Sequence, residues 1–148
     1  MAKYHKSNEW PGLSPPYDEV ATKEIVTYNS SFGVEFGIFT CFDIVHYNPP
    51  VKLVNQGIKH FLYPVKQGEI GEVTLIQGWS KKHSVTVLSA NLGSGSRTKD
   101  GDEKGRDCSG IIQNGQDLPT DMFYLKDSTN NAAYKESADN VLIGSVPV

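Results

Sequence analysis

Apolar residues come in short runs separated by glycine, proline and asparagine, the pattern of strands and brief helices joined by tight turns. Residues 23–28 (KEIVTY) and 34–40 (VEFGIFT) flank Asn-Ser-Ser-Phe-Gly and predict a hairpin. The second run is apolar on both faces apart from Glu35, as expected of a strand covered on both sides. Asn48-Pro49-Pro50 predicts the opening of a helix, because proline is tolerated in the first turn; it runs through VKLVNQ and ends at Gly57. A strand at 59–63 (KHFLY) follows, stopped by Pro64. Residues 71–83 (GEVTLIQGWSKKH) set Val73, Ile76 and Trp79 at helical spacing, and 84–90 (SVTVLSA) return to strand. Further along, 109–113 (SGIIQ) predict a strand, Asn114-Gly115 a turn, and 141–143 a late edge strand. Strand, helix, strand, helix, strand is the order of an α/β fold whose sheet is covered by helices.

The remaining stretches predict loops. The beginning of the chain, with Pro11, Pro15 and Pro16, is an irregular segment anchored by Tyr4, Trp10 and Tyr17. Residues 93–107 are polar and glycine-rich with balanced charge, and their acidic spacing does not match a calcium loop. With 148 residues, a single domain with one core is the expectation. The 14 Lys and Arg are outnumbered by 17 Asp and Glu, a net charge of -3, which argues against a phosphate-binding surface and so against a nucleic-acid partner. No apolar run approaches the roughly 18 residues of a membrane span, and the first residues lack the apolar stretch of a signal peptide. His5, His46, His60 and His83 lack metal-ligand spacing, and no phosphate-cradling glycine loop is present, so neither metal nor cofactor is expected. Asn29-Ser30-Ser31 is a sequon, which makes Asn29 a glycosylation candidate if the protein enters the secretory pathway.

Candidate chemistry centres on GIFTCFDI, residues 37–44. Cys41 directly follows an apolar strand, so its thiol is presented at the carboxyl end of the sheet, where open α/β sheets build their sites. The backbone N–H of Phe42 is adjacent to the sulfur and able to stabilise a developing oxyanion. A cysteine in such a run is also compatible with a small buried hydrophobe. Asp43 reads as a turn or helix-capping carboxylate. Cys41 and Cys108 are too few for a disulfide framework.

The stretch GIFTCFDI followed by HYNPPVKLVNQGIKHFLYP resembles the nucleophile region of the nitrilase superfamily of carbon–nitrogen hydrolases, closest to the vanin (pantetheinase) and biotinidase branch. Tyr4-His5-Lys6 resembles that branch's YHK or YRK segment, VLSAN at 87–91 its strand near LAAN, and Ser109-Gly110-Ile111 its GSGI. The order is kept across most of residues 1–113, whereas 114–148 form a poorly matched tail. The resemblance implies a partial nitrilase-like α-β-β-α sandwich over 1–148 that lacks the first strands and helices of the family domain. Its sheet would then have an open edge, and oligomerisation (a homo-oligomer), aggregation or a rearranged edge is expected of the isolated chain.

By the same resemblance, Cys41 falls on the thiol nucleophile and Lys6 on the catalytic lysine, whose ammonium would favour thiolate and bind the oxyanion together with the Phe42 N–H. The family's general-base glutamate precedes the lysine, and only MAKYH stands before Lys6 here. Glu9 is the nearest match to the family's second, supporting acid. After Pro64 the branch continues with a tryptophan-bearing segment that shapes its pocket; residues 65–71 (VKQGEIG) carry none, and Trp79 belongs to the later helix. The implied function is hydrolysis of a small-molecule amide, of the pantetheine or biotinyl kind, through a cysteine thioester. The alternative is a catalytically inactive homologue or a non-enzymatic binding module. Kinship suggests a secreted or cell-surface setting, which would suit Asn29.

Overall fold

The computed structural model describes residues 2–12, 20–65, 71–91, 109–118, 121–124 and 140–143, with residues 71–73, 91, 121–124 and 140–143 described as backbone. The loop at 93–107, Tyr17 and Cys108 lie outside the described residues. Eight strands and two helices are described: β1 (Val26–Asn29), β2 (Glu35–Ile38), α1 (Lys52–Asn55), β3 (His60–Val65), α2 (Gly71–His83), β4 (Thr86–Asn91), β5 (Gly110–Gln113), β6 (Gln116–Asp117), β7 (Asp121–Tyr124) and β8 (Asn140–Ile143). A 3-10 turn at Cys41–Val45 and a wider helical turn at Tyr47–Val51 lead from β2 into α1.

The first six strands make one mixed sheet in the order β1-β2-β3-β4-β5-β6. Strands β2, β3 and β4 are parallel, while β1, β5 and β6 pair antiparallel to their neighbours. The α/β expectation therefore holds, with parallel strands at the centre and hairpins outside. On one face, alternate residues Phe61, Tyr63, Val87 and Ile112 join Phe39, Leu53, Ile76 and Trp79 in the core. Trp79 of α2 meets the Phe61 ring edge to face at 5.2 Å and the Phe39 ring at 5.2 Å, which clamps the helix onto the sheet. The opposite face carries Ile38, Leu62, Leu88 and Ile111 in register across four strands. Both faces of the central strands are thus apolar, as their sequences predict.

Several boundaries differ from the sequence expectation. The first strand begins at Val26 rather than residue 23, because its partner β2 leaves the sheet after Ile38, opposite Val26. It continues through Asn29, which pairs with Glu35. Pro64 does not stop β3: it pairs in register with Ala90. Phe39 donates to the Leu62 carbonyl at 3.4 Å. Two residues on, Pro64 turns its backbone to that same side, past the end of β2, so its missing N–H costs no ladder bond. The helix expected from Pro49 is regular only over Lys52–Asn55, and Gly57 closes it with φ +94°. Residues 71–83 form the expected helix. It ends in left-handed Ser84, while the Ser80 hydroxyl donates to the Val85 carbonyl at 2.6 Å and ties helix to strand. The strand after it starts at Thr86. Asn114-Gly115 turn as expected, but into a further strand, β6, and the late strand pairs with β7 as a separate two-stranded sheet.

Candidate active site

Cys41 opens the 3-10 turn at the carboxyl end of β2, with φ +51°. A non-glycine residue in left-handed backbone is uncommon and requires surroundings that hold it. Here the Tyr63 hydroxyl, at the far end of β3, donates to the Cys41 carbonyl at 2.8 Å. The side chain is half-buried against the core, and its thiol is free. The first bond of the turn is donated by Asp43 to the Thr40 carbonyl at 3.1 Å. The N–H groups of Cys41 and Phe42 precede it and so have no acceptor within the turn.

Asp43 is fully buried and is the hub of the region. One carboxylate oxygen accepts the Asn8 N–H at 2.8 Å and the Asn8 side-chain amide at 2.8 Å. The other accepts the Thr40 N–H at 3.0 Å and the Tyr4 hydroxyl at 2.6 Å. Four donors satisfy both oxygens, which makes it the capping carboxylate that the sequence suggests and leaves it poorly placed to carry protons. Burial, and then the bond to Asp43, push the Tyr4 hydroxyl far above the ordinary phenol range, so Tyr4 remains a donor.

Asn8 completes the link. Its side-chain amide also donates to the Asn48 carbonyl at 2.9 Å, its side-chain oxygen accepts Lys23, and its backbone carbonyl accepts the Lys6 ammonium. Segment Tyr4–Asn8 is in this way fastened to the turn, with Ser7 and Asn8 buried. Lys6 is half-buried between these anchors, and Glu9, also half-buried, follows Asn8. Phe42 lies between two rings, Trp10 at 4.9 Å and His46 at 5.0 Å, both edge to face. Asn29 is exposed at the opposite end of β1 and is not part of this region. Sequence reasoning missed Asn8, Lys23 and Tyr63 as members of the site, and saw Tyr4 only as an anchor. The available signal was a polar residue of capping type, Asn8, two places after the lysine. Among the described residues no group of three His, Cys, Asp or Glu side chains is arranged to hold a metal, and no helix is long and apolar enough to cross a membrane.

No family model matches the chain. Over 96 residues it is 33% identical to biotinidase of Takifugu rubripes, covering 62% of this chain and 19% of that protein. Over 106 residues it is 32% identical to pantetheinase of Mus musculus, covering 68% of this chain and 20% of that protein. The chain is a homologue of the biotinidases and pantetheinases. It spans about a fifth of the length of these relatives. Its fold matches an amidase from Nesterenkonia sp. with a TM-score of 0.61 at 17% identity, over 80% of this chain and 44% of the amidase. A mutant of Nesterenkonia AN1 amidase, described as from the nitrilase superfamily, matches with a TM-score of 0.59 at 14% identity, over 80% of this chain and 45% of that one. The mixed sheet of this homologue is therefore of nitrilase type.

Proposed function

We propose that this homologue carries the nucleophile and the cation of an amide hydrolase, Cys41 and Lys6, and acts on a small amide of the pantetheine or biotinyl kind. The observation that carries this is the left-handed Cys41 at the carboxyl end of a central parallel strand, opening a turn that itself offers no acceptor to its first two N–H groups. The Lys6 segment is bonded to that same turn through Asn8 and Asp43. In the proposed reaction the Cys41 thiolate attacks the amide carbonyl carbon, and the carbonyl electrons move to oxygen. The Phe42 N–H and the Lys6 ammonium bind that oxyanion. Collapse breaks the C–N bond, the amine leaves with a proton drawn from solvent in place of the one the thiol released, and water then cleaves the thioester to a carboxylic acid and the free Cys41 thiol. Glu9 is the candidate supporting acid.

A second reading draws on one observation: Asp43, the carboxylate two residues from the thiol, is committed to four donors and so is poorly placed to act as a base. Under it the chain forms a thioester but returns it slowly, because a cooperating set that works without its base loses orders of magnitude in rate. The test is intact-mass spectrometry of the full chain with pantetheine, a biotinyl amide and a p-nitrophenyl ester. Acyl mass appearing on Cys41, and lost in Cys41→Ala, is the expected result, and its persistence or release separates turnover from capture. Acylation that survives Cys41→Ala, or none with any of the three, would refute both readings.

A further inference from the structure

The proposed pair of groups is held by an interaction that neither of them makes. Cys41 and Lys6 sit on segments 35 positions apart, and the bonds that join those segments converge on Asp43. Asn8 uses every polar group it has: N–H and amide to Asp43, the second amide hydrogen to the Asn48 carbonyl, its side-chain oxygen to Lys23, and its carbonyl to Lys6. The Lys6 ammonium is therefore oriented by a residue that has no freedom left to move. Of its three hydrogens one goes to Asn8. Taking the proposed roles of Cys41 and Lys6 as the premise, we infer that Asp43 is a positioning residue: acting through Asn8, it sets the Lys6 ammonium relative to the Cys41 thiol.

Two other roles for Asp43 make different forecasts. As a bare negative charge two residues from the thiol, it disfavours thiolate, so its neutralisation lowers the pH at which Cys41 ionises. As a structural acceptor only, its replacement lowers stability and leaves the ionisation of Cys41 where it was. A positioning role gives the opposite sign from the first: neutralising Asp43 releases Asn8 and Lys6, and the ionisation moves upward. Among the described residues, the ionisable side chains bonded to or packed on this turn include Tyr4, Asp43, His46 and Tyr63, and Lys6 and Lys23 are bonded to Asn8.

The test is the rate of iodoacetamide alkylation of Cys41 in the full chain against pH, read by peptide mass, in a double-mutant cycle of Asp43→Asn and Lys6→Gln. Asp43→Asn keeps the shape but puts an amide donor against the N–H of Thr40 or of Asn8. Lys6→Gln is expected to slow alkylation at pH 7 several-fold and to move the midpoint of the rate profile upward in pH, Asp43→Asn to do the same, and the double variant no more than Lys6→Gln alone. Tyr4→Phe removes one of the four donors and keeps the rest, so it gives a smaller rise and a usable answer if Asp43→Asn does not fold. A fall, or no change, in both Asp43→Asn and Tyr4→Phe while Lys6→Gln raises the midpoint overturns the positioning role and spares the proposed pair. No change in Lys6→Gln overturns the pair itself, and the positioning role with it.

Discussion

The two ends of β2 bend the chain through the same left-handed region with opposite choices of residue. At the hairpin end Gly33 sits at φ +85°, and a methyl group added there would meet nothing within 4 Å. Phe32 beside it is 73% exposed. At the carboxyl end Cys41 sits at φ +51°, surrounded by the Tyr63 hydroxyl, the buried Asp43 and the aromatic core. Glycine takes this conformation without steric penalty, whereas a residue with a side chain gives up about 1–2 kcal/mol. The hairpin turn is thus explained by local chemistry alone. The turn at Cys41 is not, since its conformation is held by contacts from β3 and from the first residues of the chain, and that is the mark of a position kept for its side chain.

The contrast breaks most visibly at Asp43. Asp43→Ala strands the N–H groups of Asn8 and Thr40 and the Asn8 amide, and should cost about 3–5 kcal/mol in urea unfolding. Phe32→Ser, at the hairpin end, should change stability by no more than about 0.5 kcal/mol. Comparable losses at the two ends would mean that the polar hub does not organise the carboxyl end.

A smaller effect sharpens the backbone part of the comparison. In ordinary strand or helix geometry alanine is more stable than glycine, and in left-handed geometry the order reverses. Cys41→Gly should therefore be more stable than Cys41→Ala by about 1 kcal/mol, and Gly33→Ala should cost about 1 kcal/mol. Alanine proving the better residue at position 41 would show that the turn is not strained there. The smallest effect is electrostatic. Glu24, held by His5 at 3.1 Å near the Cys41 end of β1, has a carboxyl below the usual range, chiefly through that hydrogen bond. A depressed carboxyl stabilises the fold above its unfolded value, about 4.3, and the contribution is lost as pH falls through the lower folded value. Acid should reduce the melting temperature slightly less in Glu24→Gln than in the parent chain.

Elements written into the local pattern were legible in the sequence. Residues 71–83 announce α2 by apolar spacing, the near-continuous apolar runs at 59–63 and 84–90 announce β3 and β4, and Asn114-Gly115 announces a hairpin turn. Elements defined by their neighbours were not. Gln116 and Asp117 form β6 as two exposed polar residues without alternation, and Pro64 stays in its strand because of where β2 ends. The site divides in the same way. Cys41 at the end of an apolar run is visible as a candidate, and Lys6 enters through resemblance. The clamp of Asn8 on Asp43 joins residues 35 positions apart and has no local period to betray it.

The most direct measurement sets Cys41 against the second thiol of the same chain. With limiting iodoacetamide at pH 7 and peptide mapping, the proposed pairing of Lys6 with Cys41 predicts that Cys41 is labelled roughly tenfold faster than Cys108, because a cation beside a thiol raises its reactivity. Equal labelling, or preference for Cys108, would contradict the claim that the left-handed turn presents an activated nucleophile.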